Sequence, residues 1–365
     1  MNQPTSQSQS SEPTGGAQLT VSQLTTVSSY GNEAPSTRVR VQDWLDHLGL
    51  DAISLNYAGL PDATVSSIRR HPVSVLRAEF HIRRLSKAPL DRLLLSREAS
   101  PFSRGEVESG LLLRATHGTY DFDDALFEDV EGRRHLLGKG VKCRRAAESA
   151  DVVIAGNEYL ADWASTYNDE VRVIPSCVAP SMYRAKTSWE LQDPPMLVWL
   201  GSRSTEKYVQ QLGSALREVN RLTGARLRLI SQAKEQEHPS LAGIVDRRPW
   251  SLETFADELA TGDIALAPLD SSRYSMGKCA YKLLQYAATG LPIVGSPVGA
   301  NSVALERFSG TAVTNMNDWV DALVAMIRTT SEERGARGAT GIRAVNEHYS
   351  FTAWSSAWKG AVGLS

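Results

Sequence analysis

The segment MLVWLGSRSTEKYVQQLGSALREVNRL (residues 196–222) joins two kinds of apolar pattern. Its first six residues form a continuous apolar run of the length of a buried strand. From Thr205 onward the apolar residues recur at helical spacing and share one stripe, which contains Tyr208, Leu212, Ala215, Leu216 and Val219. The segment therefore predicts a strand that passes through a short turn into a helix over 205–222, the repeating unit of α/β proteins.

The same alternation of strand and helix patterns extends along most of the chain. Further strands are predicted at 52–57, 92–96, 151–156, 171–175, 225–231, 263–269 and 291–296. Residues 176–196 contain three prolines and no periodicity, so they divide the chain. We expect two doubly wound α/β domains, at 20–180 and 181–345, and a closing helix within 346–365. Residues 1–19 are rich in Ser, Gln and Thr and predict a disordered tail.

The composition excludes several classes of protein. The 365 residues carry a net charge of −2, which argues against a nucleic-acid partner. Three widely spaced cysteines offer no disulfide framework and no zinc motif, so we expect a reducing compartment, the cytoplasm. No apolar run is long enough to cross a membrane. The first domain shows no membrane-seeking helix rich in Lys and aromatics, so we expect no membrane insertion and favour a soluble acceptor.

Two helix starts in the second half predict a diphosphate site. In parallel sheets, ligands bind beyond the carboxyl ends of the strands. After the first strand of this half come Ser202, Arg203 and Lys207, at the start of a helix whose free amides favour anions. An ordinary solvated helix start is the alternative.

A second helix, predicted at 278–289, places Lys278, Lys282 and Gln285 on one face. Gly277 before it permits a close approach of the backbone to a ligand. The alternative is a surface helix with solvated lysines. Together the two helix starts favour a diphosphate ligand held by amides and cations without a metal, and the chain contains no Walker, GxGxxG or HExxH motif.

Polar residues also follow the predicted strands of the first half. Arg38 lies near the start of a helix after a Gly/Pro loop, Arg97 follows strand 92–96, and Asn157 follows strand 151–156. The segment HGTYDFDDALF (117–127) adds three clustered carboxylates, Asp121, Asp123 and Asp124. Such a cluster indicates a metal site, a pair of catalytic acids, or a polar cleft at a strand end.

Several motifs resemble those of family 4 glycosyltransferases of the GT-B fold. KLLQYAATGLPIVGSPVGAN (282–301) is similar to that family's Lys-Leu-x-Glu-Tyr-x-Ala-x-Gly-x-Pro segment, and WLGSRSTEKYVQQL resembles its first turn in the donor domain. YDFDDALF, VVIAGNEYLADWA, VRVIPSCVAPSMY and APSTRVRVQDWLDHLG resemble segments of a subgroup's acceptor domain and linker. The motifs cover most of residues 20–360, and their order and spacing are specific.

The resemblance implies two facing Rossmann-like domains and a C-terminal helix that crosses back to the first. It implies transfer of a hexose-type sugar, with retained anomeric configuration, from a nucleotide diphosphate to a small polar or glycan acceptor. No cofactor is implied; the leaving phosphate would deprotonate the acceptor. By position, Arg203 and Lys207 match catalytic contacts to the diphosphate. The donor-binding set is Ser202, Gly277, Lys278, Lys282, Gln285 and Asn301.

Within this resemblance, Asp123 is assigned a catalytic role in orienting the acceptor. The expected acceptor-binding residues are Arg38, Arg97, Asp121, Asp124 and Asn157. The alternative for the three aspartates is that they only tie loops together. Gly277 and Gln285 stand where many family members carry glutamates, which leaves the donor sugar open. An Asp-dependent phosphatase acting through Asp121 and Asp123, or an inactive sugar-nucleotide-binding homologue, are the alternative functions. The acceptor and the oligomeric state are not indicated.

Overall fold

The computed structural model describes residues 23–31, 34–59, 69–128, 138–232 and 237–364. The predicted tail, 1–19, lies outside these residues. Two six-stranded sheets, parallel throughout, organise the described chain. The α/β fold class with two Rossmann-like halves is therefore confirmed.

The first sheet is built from strands β1 to β6, in the spatial order β2-β1-β3-β4-β5-β6. The strands are β1 Leu24–Ser28, β2 Ala52–Leu55, β3 Leu90–Ser96, β4 Ala115–Phe122, β5 Val152–Ala155 and β6 Val171–Val173. The helices are α1 Asp43–Leu48, α2 Pro72–Leu85, α3 Glu106–Leu112, α4 Lys139–Ser149 and α5 Glu158–Ala164. A helical turn, Pro35–Thr37, and a π-helical turn, Arg38–Gln42, lead into α1.

The central strands of this sheet are buried because their apolar runs face helices on both sides. Leu93, Leu94 and Leu95 of β3 are almost completely buried, as are Tyr120 and Phe122 of β4. The sequence pattern predicts this set of elements only in part: it does not give the full extent of β1, β4 and the helical turns before α1. The carboxyl ends of β3, β4 and β5 lie side by side and carry the polar loops described below.

The second sheet has the spatial order β12-β11-β10-β7-β8-β9. Its strands are β7 Met196–Leu200, β8 Arg226–Ser231, β9 Val245–Pro249, β10 Ile264–Ala267, β11 Ile293–Gly295 and β12 Thr311–Ala312. Its helices are α6 Glu206–Gln211, α7 Gly213–Thr223, α8 Phe255–Ala260, α9 Arg273–Met276, α10 Tyr281–Thr289, α11 Ala300–Arg307, α12 Trp319–Arg328 and α13 Ser331–His348.

Two predicted helices differ from the structure in their bounds. The helix predicted at 205–222 is divided at Leu212 into α6 and α7, although its apolar stripe is buried as predicted. The helix predicted at 278–289 begins only at Tyr281, because Ala280 takes a left-handed backbone conformation with φ 54°. Lys278 therefore lies in the loop before α10 and does not share a helical face with Lys282 and Gln285.

A last helix, α14 (Phe351–Ala361), returns to the first domain. Its Trp358 stacks on Trp44 of α1 with ring centroids 5.1 Å apart, and its Phe351 meets the same indole edge-on at 4.8 Å. The carbonyl oxygen of Ala361 accepts hydrogen bonds from Thr119 Oγ and from the His117 ring at 2.9 Å. These contacts confirm the predicted crossing of the C-terminal helix to the first domain.

Candidate active site

The turn after β7 presents two exposed cations. A short 3-10 turn, Arg203–Thr205, connects β7 to α6, and Ser202, Arg203 and Lys207 are all exposed. Glu206, the acid of this first turn, points inward instead: Ser231 Oγ donates to its carboxylate at 2.7 Å, and Arg247 pairs with it at 3.1 Å. Because that acid is occupied, the charges of Arg203 and Lys207 remain available beside the end of β7.

The Ser202 side chain makes no capping hydrogen bond to the turn that follows it. Its hydroxyl lies 3.0 Å from Ser204 Oγ and 3.4 Å from Thr205 Oγ1, and its carbonyl oxygen accepts from the Thr205 amide. The residue therefore remains an exposed hydroxyl at the end of β7.

Lys282 is a partly buried cation without a carboxylate partner in the described chain. Its Nζ lies 5.3 Å from the centroid of the Trp199 ring of β7. A Cβ placed on Gly201 would lie 2.9 Å from its Cε, so the side chain reaches the end of β7. Burial, together with the charge of Lys278, lowers the pKa of Lys282 to about 8. An ammonium that burial destabilises gains most from a bound anion.

Asp270, in the loop after β10, lies near Lys207. Burial would raise the pKa of its carboxyl, but hydrogen bonds from Ser272 and Ser275 and the charge of Lys207 hold that pKa below its usual value. Tyr208 Oη lies 3.3 Å from Ser275 Oγ. This contact joins α6 and α9, the helices that follow β7 and β10, beside Lys207.

Lys278 connects the two domains through an ion pair. Its Nζ lies 3.3 Å from Asp124 Oδ1, and Arg97 Nη1 lies 2.9 Å from Asp124 Oδ2 and 3.2 Å from Asp123 Oδ1. Burial would raise the pKa of Asp124, but the two cations hold it below its usual value. Arg97 also donates to Ser36 Oγ at 2.6 Å, while its buried Nε has no partner.

Close backbone contacts join the domains beside this ion pair. Asn157 Nδ2 donates to the carbonyl oxygen of Lys278 at 3.1 Å, and Cys279 Sγ donates to the carbonyl oxygen of Asp123 at 3.2 Å. A Cβ on Gly277 would collide with Ala125, lying 2.7 Å from its backbone nitrogen. Gly277, predicted to let the backbone approach a ligand, instead lets it approach the first domain.

Asn157 also differs from its predicted role. Its Oδ1 accepts from the amide of Leu160 at 3.0 Å and so caps α5, while its Nδ2 is used by Lys278. Both ends of the amide are occupied in this arrangement, and the side chain is buried. The prediction that Asn157 binds the acceptor is therefore corrected: it joins the domains.

Asp121 requires the clearest correction. The residue is completely buried in β4, and both of its carboxylate oxygens accept from Arg40 Nε, at 3.2 and 3.1 Å. Arg40 Nη1 also donates to the carbonyl oxygen of Ile174 at 3.0 Å. Burial raises the pKa of Asp121 despite this partner. The prediction that Asp121 binds the acceptor fails because its carboxylate faces Arg40 in the interior.

Arg38 lies at the start of the π-helical turn and faces the second domain. Its Nη1 is 3.5 Å from Asp43 Oδ2, and its buried Nε has no hydrogen-bond partner. Burial raises the pKa of Asp43 to about 6. Arg38 also lies close enough to Tyr183 and Tyr281 for its charge to affect the pKa of both phenols.

Gln285 and Asn301 are both largely buried. Gln285 of α10 lies against Tyr183, and Asn301 Nδ2 lies 3.4 Å from the carbonyl oxygen of Ser296. Sequence reasoning missed Asp43, Tyr183 and Tyr281, although Asp43 and Tyr183 stand within segments that carried the family resemblance. Arg40, like Arg38, was placed near a helix start of the first domain, but its pairing with Asp121 was not predicted.

The second domain contributes the cations Arg203, Lys207, Lys278 and Lys282, and the loop after β4 of the first domain contributes Asp123 and Asp124. Arg97, which follows β3, pairs with both aspartates, and Lys278 pairs with Asp124 across the domain boundary. Among the described residues, no group of three metal-ligating side chains forms a cation site. No helix in the described chain is long and apolar enough to cross a membrane.

A comparison with known protein families finds a match within the second domain. Residues 194–330 match the family model for glycosyl transferases group 1. No curated protein sequence matches the chain significantly.

The solved structures that resemble the chain share its fold at low identity. The glycosyltransferase WaaG, involved in lipopolysaccharide biosynthesis, is 13% identical with a TM-score of 0.67; the match covers 93% of this chain and 100% of WaaG. Anabaena Alr3699/HepE, solved with UDP and glucose, is 10% identical with a TM-score of 0.67, over 94% of this chain and 99% of HepE.

TarM is 12% identical with a TM-score of 0.58, over 74% of this chain; the chain spans about half of TarM's length (54%). The family match supports the predicted enzyme class, a glycosyltransferase. Residues 194–330 thus match the glycosyl transferases group 1 family, and the described chain has the GT-B fold.

Proposed function

We propose that the chain is a retaining glycosyltransferase of family 4 that transfers a hexose-type sugar from a nucleotide diphosphate to a polar acceptor. The observation that supports this most directly is Lys282, a partly buried ammonium with no carboxylate partner in the described chain, beside the end of β7. A diphosphate placed there would meet Lys282 together with the exposed Arg203 and Lys207. These cations would stabilise the charge that develops as the bond between sugar and phosphate breaks.

The reaction needs no enzyme nucleophile under this proposal. The leaving phosphate would take the proton of the acceptor hydroxyl while the sugar is transferred on the same face. Arg203, Lys207 and Lys282 neutralise the diphosphate, so we propose that the reaction proceeds without a metal cofactor. UDP is the first nucleotide to test, because HepE and TarM have been solved with UDP.

The acceptor side is formed by the loop after β4. Asp123 is partly exposed and Arg97 Nη1 donates to its Oδ1 at 3.2 Å. Its Oδ2 has no partner among the described residues and would accept from an acceptor hydroxyl. Arg97, Asp124 and Arg38 complete the polar wall. The acceptor is proposed to be a small polar metabolite or a glycan; AviGT4, involved in avilamycin A biosynthesis, and WaaG represent these two possibilities among the structural relatives.

The phosphatase alternative loses support because Asp121, one of its two required carboxylates, is buried against Arg40. An inactive sugar-nucleotide-binding homologue differs from an active enzyme in one measurable respect. It would bind the nucleotide sugar and release none of the sugar to an acceptor or to water.

The proposal is tested by calorimetry with UDP, GDP and dTDP, followed by turnover of the matching nucleotide sugars in the presence of EDTA. We expect micromolar binding of one nucleotide, slow donor hydrolysis that survives the chelator, and an anomeric configuration in the transferred sugar that matches the donor. Binding without any turnover would favour the inactive homologue. Loss of turnover in EDTA that manganese restores would overturn the metal-independent mechanism.

A further inference from the structure

Helix α2 exposes large apolar side chains on its outer face. Val73 is 59% exposed, Leu76 70% and Phe80 72%. The opposite face of the helix, with Val75 and Ile82, is buried against the domain. Residues 73, 76 and 80 stand at helical spacing, so the three exposed side chains form one stripe. Among the described residues, these are the three most exposed large apolar side chains apart from Leu113.

Cations flank and interrupt this stripe. Arg77 and Arg84 lie on the same outer face, and Arg69, Arg70 and Lys87 adjoin its ends; all five are exposed. None of the five pairs with a carboxylate in the described chain. The single acid of the helix, Glu79, is directed inward: it accepts from Tyr57 Oη at 2.9 Å and from Ser100 Oγ at 2.7 Å, and it pairs with Arg83.

This concentration of positive charge is local, since the whole chain has a net charge of −2. A second copy of the chain is a poor occupant, because a twofold contact would set the arginines of one helix against those of the other. The exposed face of α2 carries apolar side chains flanked by cations, so its partner should present an apolar region bordered by negative charge. The polar-apolar boundary of an anionic bilayer has that character.

We propose that the α2 face, defined as Val73, Leu76, Arg77, Phe80 and Arg84, binds the surface of an anionic lipid bilayer. The three apolar side chains would enter the boundary between headgroups and acyl chains, and the arginines would contact the lipid phosphates. This proposal departs from the expectation that the first domain contains no membrane-seeking helix rich in Lys and aromatics, because α2 is rich in Arg and carries a single aromatic residue.

The position of the helix gives the contact a consequence for the cleft. Helix α2 runs antiparallel to the strands of its sheet, so its first turn lies toward the carboxyl ends of β1 and β3. The loops after β4 and β5, which contact the second domain, lie along the same edge. A bilayer bound to the α2 face would therefore lie near the proposed acceptor side. This binding does not depend on the identity of the donor.

The test is sedimentation of the full chain with vesicles of phosphatidylcholine alone and with about one third phosphatidylglycerol. We expect binding only to the anionic vesicles, weakened by salt. Phe80→Ser combined with Leu76→Ser should weaken binding at least tenfold. Arg77→Glu and Arg84→Glu should each weaken it about fivefold or more.

Matched controls are Leu222→Ser, an exposed leucine of the second domain at 44%, and Arg184→Glu, an exposed arginine of the linker. Both should bind vesicles as the wild type does. Melting temperatures confirm that every variant is folded. Failure of the wild type to bind anionic vesicles, or equal weakening by the control variants, would overturn the proposal. So would a wild-type dimer that Phe80→Ser converts to a monomer without vesicle binding, since the occupant would then be a second copy.

Discussion

Lys278 Nζ and Asp124 Oδ1 lie 3.3 Å apart, and this ion pair joins the two sheets of the molecule across the cleft. The same carboxylate accepts from Arg97 of its own domain at 2.9 Å. Asp124 therefore has a partner in the first domain that it retains when the domains separate. Lys278 has no second carboxylate in the described chain and loses its partner on opening.

Lys278→Met should shift the domains toward an open arrangement. The substitution keeps most of the side-chain length and removes the charge, while Asp124 remains paired with Arg97. We expect a larger radius of gyration by small-angle X-ray scattering and a weaker dependence of that radius on salt. A radius equal to that of the wild type would show that the ion pair does not hold the domains together.

The pH dependence of this pair follows from the two pKa shifts. The pKa of Asp124 is lowered in the closed form, so its contribution is present above the ordinary carboxyl value of about 4 and is lost as the pH falls through the lowered pKa. The pKa of Lys278 is raised, mainly by Asp124 against the effect of burial, so its contribution is lost only as the pH rises through that raised value. The fraction of molecules in the closed form should therefore be constant between about pH 5 and pH 9.

Lys282→Met should stabilise the fold and impair donor binding. Burial lowers the pKa of this ammonium to about 8, so the protonated side chain opposes folding near neutral pH. The stability of the wild type should rise with pH between about 8 and 10.4, because the unfolded chain then binds the proton that the folded chain has released. We expect a higher melting temperature for the variant at pH 7 and at least tenfold weaker nucleotide binding.

The control for this prediction is Lys359→Met in α14, which should change neither quantity. Nucleotide binding to the wild type should also weaken as the pH rises through about 8. A variant that binds the nucleotide as the wild type does would remove Lys282 from the donor site.

Arg203→Ala and Lys207→Ala should each lower kcat/KM by roughly 10²–10³, the usual effect of removing a charged group that stabilises a developing anion. Both side chains are exposed, so melting temperatures should stay within about one degree of the wild type. The measurement is kcat/KM with the best nucleotide sugar. Arg217→Ala, an exposed arginine on α7, provides the matched control. Two variants with full activity would place the diphosphate elsewhere.

Asp121→Asn and Asp123→Asn should separate stability from catalysis. Asp121→Asn leaves the buried Arg40 without its counter-charge, which should lower the free energy of unfolding by about 3 kcal/mol. Asp123 is partly exposed, so Asp123→Asn should leave stability and nucleotide binding nearly unchanged and lower kcat about 10²-fold. A destabilised but fully active Asp123→Asn enzyme would assign that residue a structural role.

Gly277→Ala should hold the domains apart, because the added methyl group collides with Ala125. We expect a more open form by X-ray scattering and loss of transfer, with nucleotide binding by the second domain retained. Gly360→Ala in α14 is the matched control, since its methyl group would lie 3.5 Å from the nearest atom, Arg172 Nη1, which is ordinary contact. Equal activity of the two variants would show that close approach at Gly277 is not required.

The central strands were predictable because continuous apolar runs mark strands that helices cover on both faces. β9, Val245–Pro249, was missed because this edge strand contains Asp246, Arg247 and Arg248 and lacks such a run. The start of α10 was misplaced because Ala280 adopts a left-handed conformation, which its residue type does not predict. The local sequence pattern therefore predicts most of the strands, but it does not predict the conformation of the loops that carry the site.

The roles of the aspartates could not be predicted from neighbouring residues. Asp121 is buried inside β4, whereas Asp123 is only half-buried in the loop after the strand, and the partner that occupies Asp121 is Arg40, 81 positions away. Likewise, the contact between Asp124 and Lys278 joins residues 154 positions apart. Sequence reasoning found the residues of the cleft, but only the folded chain shows which of them are already occupied.

Cys279 gives the molecule an internal reporter of this closure. Its thiol donates to the Asp123 carbonyl oxygen across the cleft, and burial raises its pKa, so in the closed form it resists alkylation. The other two cysteines, Cys143 and Cys177, are buried inside the first domain. The rate at which a thiol reagent labels the native chain should therefore measure how often the two halves part, without any engineered probe.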